Sequence, residues 1–573
     1  MNSTAVIANR FKTGSPRRSN PLQRVCWYQT PNSFGAVAAP CLLLLLTLAL
    51  RAAPLTAYRF HQDEALYASW ALLTAEDPAL ISVPVDKPPL FIYLLAGLFR
   101  LLGSSEAVAR LPNLFASVVS VALLYTVGRR AYDRPTALMA AALYAASPFA
   151  ILFAPTAFTD PLLVLWMLLG LWAALAQRPL LAGLALGLAY ATKQQSVLLI
   201  PLVVAMEVWE VRKADRGWQG AGCRSQGDEG RSAVGNHGVQ LLVGFLPVFA
   251  LVTWWDSLRW HVQPSFWDRS ITTYGGLELL PPAAWGERLA DWAQLLGYIF
   301  ASPLLNATLL IGLPILLWTA MRLHATRNTQ HATRNTQHAS RTTHYDLLLT
   351  AYVVAYLLLH LTVSFQVWDR YLLPLVPLLC LLLARIIRGI ANCELRIANL
   401  PFSRLVIIVM ACALLPPAYM GVTGRLPVGG DHGAYDGIDR LAAYVRTHLP
   451  PDAILYYHWL GWHYDYYLRD ASQERVWYPD PQSLVELVME HGDRAQGIAF
   501  PGWKDDGPVR QALAARGLAL VPRFATYRHD GSRSFALYLI ETTDYTDYTD
   551  YTDYTEAISV KSVVETCGAG GVP

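Results

Sequence analysis

Two adjacent carboxylates, Asp63 and Glu64, follow the first long apolar run of the chain, within His61-Gln62-Asp63-Glu64-Ala65-Leu66-Tyr67. Ionised groups are costly to hold against lipid, so such a pair faces water or a polar cavity. A carboxylate held there can take the proton of an attacking hydroxyl. Further charges recur beside other apolar runs: Asp86-Lys87 before Pro88-Pro89, Thr159-Asp160, Lys193-Gln194, and Asp369-Arg370-Tyr371. Lys and Arg can hold a phosphate, Arg through two parallel bonds. Fixed cations also favour the departure of a phosphate leaving group. Acids and bases at one membrane level therefore suit a reaction on an anionic, lipid-borne substrate. Each residue alone has an ordinary reading. Asp63-Glu64 reads as a helix N-terminus or a solvated loop, and Lys87 as the flank of an apolar segment. Thr159-Asp160-Pro161 reads as an N-cap with Pro at the first helical position. Lys193 reads as a snorkelling cation, and Arg370 beside Tyr371 as an interfacial anchor.

The elements that must position these residues are membrane helices. Hydrophobic residues make up 54% of the 573 and charged residues only 15%, where a soluble domain carries about a quarter charged. Repeated long apolar runs account for the deficit, so the fold class expected is an α-helical polytopic membrane protein. A net charge of +3 is too small to argue for a nucleic-acid partner. The seven cysteines are scattered without a CxxC pair, which points to neither a disulfide framework nor a thiolate metal site. The basic stretch holding Arg10, Lys12, Arg17, Arg18 and Arg24 precedes the apolar residues 34–53. It is too long for a cleaved signal peptide and lacks a small-residue cleavage site, so a retained signal anchor is expected.

Lys and Arg mark cytoplasmic loops. The first span then delivers Asp63 to the outer side. Residues 88–102 are short and carry Arg100, which suits the interface. Residues 111–127 cross inward and stop at Gly128-Arg129-Arg130; 137–154 return outward; 161–176 go in again to Gln177-Arg178. The block 180–208 is followed by Arg212, Lys213, Arg216, Arg224 and Arg231, a cytoplasmic signal. Parity then requires a hairpin of two short spans with Lys193 at its outer tip, tolerable where it lines a polar cavity. Residues 240–258 cross outward to an aromatic loop, 259–291, which reads equally as an interfacial belt or a substrate lining. Spans at 304–320, 345–363, 371–384 and 405–422 follow. The HATRNTQ repeats between the first two read as a disordered cytoplasmic insertion, and Arg385, Arg388, Arg396 and Arg404 mark a further inner loop. Charge bookkeeping gives about eleven spans, with the N-terminus in and the C-terminus out. The expected divisions are a basic N-terminus (1–33), a multi-span catalytic domain (34–422), a small outer α/β domain (423–541) and a disordered Asp-Tyr-Thr tail (542–573).

The ordered motifs DExxY (Asp63, Glu64, Tyr67), DKPPL (86–90), ARLPN (109–113), GRRAY (128–132), ASP (146–148), FTDPLL (158–163), LAGLALGLAYATKQ (181–194) and DRYLLPLVP (369–377) resemble the C-type glycosyltransferases. Among them the pattern is similar to the protein O-mannosyltransferase and aminoarabinose transferase group, glycosyltransferase family 39. The likeness is strong over residues 63–200, weaker through the later spans and loose in the outer domain. It implies a polyprenyl-phosphate-sugar donor, an inverting transfer and a site at the outer membrane surface. It also implies that Asp63 is the essential acid, that Lys87 and Arg370 contact the donor phosphate, and that Asp160 is an outer-loop acid of the site. Glu64 is expected to shape the site with Asp160. Lys193, Tyr67 and Tyr371 are expected to assist substrate binding.

The chain departs from the family at Asp86, where members often carry His or Glu, at Pro155-Thr156, where they often carry Arg, and at Gln194, where many carry Gly. These departures leave open the sugar, the acceptor (a protein, lipid or glycan hydroxyl) and any divalent metal, for which Asp86, His261 and Glu64 are the speculative ligands. The alternative function is secondary transport of an anionic or lipid-linked substrate. Transporters favour ionisable groups near the midplane and internal repeats, whereas these charges gather at one surface. A third reading, spans that merely anchor an outer scaffold, predicts that charge swaps at Asp63, Lys87 and Asp160 leave lipid-linked sugar pools unchanged.

Overall fold

The computed structural model describes residues 33–219, 228–325, 334–391, 396–397 and 400–542. The basic N-terminal stretch, Arg224, residues 326–333 of the repeats and the Asp-Tyr-Thr tail lie outside the described residues. The chain opens with α1 (Ser33–Ala52), α2 (Gln62–Leu73), α3 (Leu90–Leu102), α4 (Glu106–Ala131), α5 (Arg134–Ala146), α6 (Pro148–Phe153), α7 (Asp160–Leu175) and α8 (Pro179–Thr192). It continues with α9 (Ile200–Gln219), α10 (Asp228–Ser257), α11 (Phe266–Thr273), α12 (Trp285–Gly297), α13 (Pro303–Ala325), α14 (Arg334–Thr362), α15 (Leu375–Ala391) and α16 (Phe402–Val422). A small antiparallel pair, β1 (Arg396–Ile397) and β2 (Leu400–Pro401), precedes α16.

Among the described residues, five helices are long and apolar enough to cross a membrane: Glu106–Ala131, Gln194–Lys213, Val234–Ser257, Pro303–Arg322 and Thr342–Thr362. Shorter apolar helices, among them Asp160–Leu175 and Pro179–Thr192, fill the space between them. Helix α15 is buried on nearly every side, as an all-round apolar helix must be. Helices α8 and α10 cross so closely that a Cβ on Gly183 would fall on the Leu241 carbonyl, and one on Gly244 on the Leu180 carbonyl. Small residues at such crossings are how membrane helices gain packing contact.

Several elements differ from the sequence expectation. Residues 137–154 form two helices, because Ser147 caps α6 and Pro148 cannot continue α5. The aromatic loop 259–291 contains α11 and the first turns of α12. Helix α14 begins at Arg334, so the later repeat residues are helical rather than disordered.

Beyond α16 the chain builds a three-layer unit. It contains α17 (Ile438–His448), β3 (Ile454–Tyr457), α18 (Gly461–Tyr467), β4 (Glu474–Trp477), α19 (Pro481–Glu490), β5 (Gln496–Pro501), α20 (Gly507–Ala514), β6 (Leu518–Tyr527) and β7 (Arg533–Thr542). The sheet order is β4-β3-β5-β7-β6, with β4, β3 and β5 parallel and the last two antiparallel. Alternate side chains point to opposite faces of a strand. Leu455, Ala499, Phe535 and Leu537 accordingly pack against α17 and α18, while Ile454, Tyr456, Ile498, Phe500 and Tyr538 pack against α19 and α20. Pro522 sits in edge strand β6 beside a register shift, where a missing N–H is tolerated. The unit is tied to the helices through α18, which lies on α2. Phe60 N donates to the Tyr467 hydroxyl at 3.2 Å, Ser69 Oγ donates to the Trp462 carbonyl at 3.3 Å, and Arg469 reaches Glu76 at 2.5 Å.

Candidate active site

Local chain geometry explains how each charged residue is presented. Helix α2 starts with a capping box: Asp63 N donates to the His61 ring at 3.1 Å, and His61 N donates to Glu64 at 2.9 Å. The box fixes Asp63 and Glu64 in the first turn. Helix α8 stops at Thr192 because Lys193 is extended (φ −157°, ψ 136°), and a 3-10 turn, Gln194–Leu199, leads into α9. Pro161 sets the start of α7. Thr159 occupies its N-cap position without a side-chain cap bond, and instead lies 3.5 Å from Asp160 Oδ2. Asp369-Arg370-Tyr371-Leu372 form a 3-10 turn ahead of α15. Asp369 ties that turn to the segment after α16 by accepting from Gly429 N at 2.7 Å.

These segments meet as three acid–cation pairs: Asp63 with Arg370, Asp86 with Lys87 at 2.8 Å, and Asp160 with Lys193 at 2.5 Å. All six side chains are largely withdrawn from solvent. A buried charge is tolerated only when paired and hydrogen-bonded. Each cation also lies over an aromatic face: Arg370 4.0 Å from the Trp368 centroid, Lys87 4.1 Å from Tyr274, and Lys193 4.9 Å from Tyr371. The ring quadrupole adds to the hold on the cation. Tyr274 OH donates to Asp86 Oδ2 at 2.5 Å, and Asp86 Oδ1 is buried without a partner. Gln194 supports the same loop by donating to the Asp86 carbonyl at 2.5 Å. Tyr67 lies between the pairs, almost fully buried.

Two cavities flank this layer. One, of about 880 Å³, lies between α2, the 82–86 loop and the α/β unit, and is lined by Asp63, Asp86, Trp70, Trp462, Arg469 and Arg475 among others. The other, of about 350 Å³, is walled largely by Val197, Leu198, Ile271, Leu359 and Val363, with Lys87, Lys193 and Arg370 at its polar end. Tyr274 and Trp368 border both. Two of the bases thus face one cavity while their partner acids face the other.

Glu64, expected to shape the site, lines neither cavity. Both of its oxygens engage Arg110 at 2.9 Å, and it also accepts from His61 N and, at 2.7 Å, from Ala157 N. Arg110 further donates to the carbonyls of Leu55 and Tyr58. Glu64 is therefore a saturated structural anchor. The speculative metal ligands do not assemble either: Glu64 is spent on Arg110 and His261 is exposed. Among the described residues no three His, Cys, Asp or Glu side chains form a group that could hold a metal. Sequence reading missed the roles of Trp368 and Arg110, and left Tyr274 between an interfacial belt and a substrate lining. Arg110 lies within ARLPN, so a partner for a buried Glu was on view; Tyr274, 187 positions from Lys87, carried no local signal.

Asp431, in the segment linking the two parts, gives a stability test. Burial raises its carboxyl to about 6, against opposition from His61. An acid raised on folding contributes most below its unfolded value, about 3.9, and loses that contribution as pH rises through about 6. Asp431→Asn is expected to melt higher than wild type at pH 7 and to lose that advantage by pH 4. Parallel melting curves across this range would refute the assignment.

Residues 86–217 match the model of the family described as Dolichyl-phosphate-mannose-protein mannosyltransferase. No curated protein matches the sequence. Among solved structures, the chain is similar to ArnT from Cupriavidus metallidurans in the apo state, at 16% identity and a TM-score of 0.57 over 88% of this chain and 98% of that one. It is likewise similar to the same protein bound to undecaprenyl phosphate, at 16% identity and a TM-score of 0.53 over 88% and 97%. The chain thus shares the fold of ArnT along nearly its whole length, and residues 86–217 carry the sequence match to the mannosyltransferase family model.

Proposed function

We propose that this protein moves a sugar from a polyprenyl-phosphate donor to an acceptor hydroxyl, with inversion, at the outer face of the membrane. The observation that carries this reading is the apolar cavity whose polar end is formed by Lys87, Lys193 and Arg370. An isoprenoid phosphate needs that combination: apolar walls for the chain and converging cations for the phosphate. The undecaprenyl phosphate bound to the similar ArnT supports the same donor class. On this reading residues 34–422 form the catalytic part and 423–541 an extracytoplasmic cover.

The acceptor enters from the larger cavity, on the side of Asp63. Its oxygen bonds to the anomeric carbon as the bond from that carbon to the phosphate oxygen breaks, and the hydroxyl proton passes to Asp63. Attack from the face opposite the leaving phosphate inverts the centre. The donor phosphodiester carries one negative charge and the released phosphate gains another, which the three cations stabilise. Asp160 and Asp86 hold Lys193 and Lys87 in place, and Tyr67 and Tyr371 wall the site.

Burial pushes the Asp63 carboxyl up, but Arg370 and His61 outweigh it and hold it at about 2. A base that weak accepts a proton poorly. Donor phosphate drawing Arg370 away would leave burial dominant and raise the basicity of Asp63. The acid limb of kcat, which reports the substrate complex, is therefore expected at higher pH than the acid limb of kcat/KM, which reports free enzyme. Coincident limbs would refute this coupling.

The function is tested in cells. Deleting the gene should make a polyprenyl-phosphate sugar accumulate and remove that sugar from its acceptor. Wild-type protein should reverse both changes. Lipid-linked sugar pools that stay unchanged on deletion would overturn the reading.

A further inference from the structure

The three parallel strands each deliver a tryptophan at the same end of the sheet. Trp459 follows β3 by two residues, Trp477 ends β4, and Trp503 follows β5 by two residues. Their exposures are 47%, 53% and 41%, high for the largest side chain in a folded unit. They are organised rather than scattered. The His458 ring stands 4.3 Å from Trp459 and is stacked with Trp477 at 6.2 Å and 20°. Lys504, beside Trp503, places its ammonium 3.8 Å from the Trp459 centroid. The sheet order puts β4 and β5 on opposite sides of β3, so the chain reverses direction across this edge. Crevices at the carboxyl ends of strands where the order reverses are where open α/β sheets bind ligands. The edge of this platform adjoins the cavity that holds Asp63: Arg475, which shares a face of β4 with Trp477, lines that cavity. Trp462, three residues after Trp459 and 40% exposed, lines the same cavity as Asp63.

We propose that the acceptor is a glycan, whose reacting sugar sits by Asp63 and whose further sugars lie along Trp462, Trp459 and Trp477. The inference rests on the transferase reading above. A pyranose has an apolar face of C–H groups and a rim of hydroxyls. A flat indole with one N–H donor, set beside polar side chains such as His458 and Lys504, matches both. The charges in the cavity also favour an uncharged polyol. Five carboxylates, Asp63, Glu76, Asp86, Asp465 and Asp470, line it against three arginines, Arg269, Arg469 and Arg475, and two of those arginines are already paired, Arg469 with Glu76 and Arg475 with Asp465, so the charge balance disfavours an anionic acceptor. A lipid acceptor fits the larger cavity less well, because charged and polar side chains are interspersed among its apolar ones far more than in the cavity holding Lys87 and Lys193.

The test complements a deletion strain with four full-length forms: wild type, Asp63→Asn, Trp459→Ala/Trp477→Ala and Trp459→Phe/Trp477→Phe. Glycan, glycoprotein and lipid fractions are profiled by mass spectrometry. Each purified protein is also checked for thermal stabilisation by undecaprenyl phosphate. The expected result is a sugar missing from a glycan in the Asp63→Asn strain and reduced about tenfold by the double Ala change, with the Phe pair largely restoring it. Stabilisation by undecaprenyl phosphate should survive in the Trp variants. A sugar missing from protein or lipid instead overturns the inference while leaving the transferase reading intact. So does full transfer by the Ala pair, which would assign the tryptophans to the membrane interface. Fractions that do not differ between the uncomplemented deletion strain and the strain carrying wild type would remove the transferase reading itself.

Discussion

Asp63→Asn is expected to lower kcat by about 10²–10⁴-fold, the usual contribution of a positioned general base, while the protein remains folded and binds donor at least as well as wild type. The substitution keeps the size of the side chain and an oxygen that can accept from Arg370. It removes the proton-accepting charge from a carboxylate that lines the larger cavity while its partner Arg370 lines the apolar one. A purely structural Asp63 predicts something else. Breaking a buried pair leaves an uncompensated cation, so stability and donor affinity would fall together. A donor phosphate, however, can itself compensate Arg370. The catalytic reading therefore separates kcat from donor KM, with only the first collapsing. Single-turnover transfer and donor titration on the purified variant measure both, and normal turnover by a folded Asp63→Asn protein would eliminate the base.

How much of this was legible beforehand depends on the kind of signal. The break at Lys193 followed from charge parity alone, and the helix does stop at Thr192. Residues 453–457 and 535–540 read as strands from their short apolar alternation, and the structure has strands at Ile454–Tyr457 and Arg533–Thr542, whose two buried faces require it. The pairing of Asp63 and Glu64 was the misleading case. Consecutive helical residues point about 100° apart, so one adjacent carboxylate reaches the cavity and the other meets Arg110 on α4. Sequence adjacency suggested one shared task where helix geometry imposes two. Tyr274 stayed undecided and Trp368 went unnoticed because an aromatic in a loop reads the same whether it lines a site or a membrane interface. The repeat residues after 334 looked like a polar insertion, yet they continue into an apolar helix.

That division of labour makes Arg110 the residue on which the local fold most depends. Arg110→Ala is expected to cost about 3–5 kcal/mol, the cost of leaving a buried ion without its partner. Glu64 is 3% exposed, and both its oxygens are matched to the guanidinium. The same guanidinium holds the carbonyls of Leu55, Tyr58 and, at 3.2 Å, Arg59. It thereby pins the segment that carries His61 into the α2 cap and so sets the direction of Asp63. Loss of the pair should lower both the melting temperature and the yield of protein extracted from membranes. The double variant Glu64→Gln/Arg110→Met separates this explanation from simple loss of packing. Removing both charges ends the penalty for a lone buried ion, so the double variant should be more stable than Arg110→Ala. Residues in direct contact are expected to be non-additive in this way. If the double variant instead shows the sum of its single effects, Glu64 is not held by Arg110 as the geometry implies. Activity then gives a second reading of the same contact: a double variant that folds but transfers slowly would place the Glu64–Arg110 pair beneath Asp63 as its positioning support.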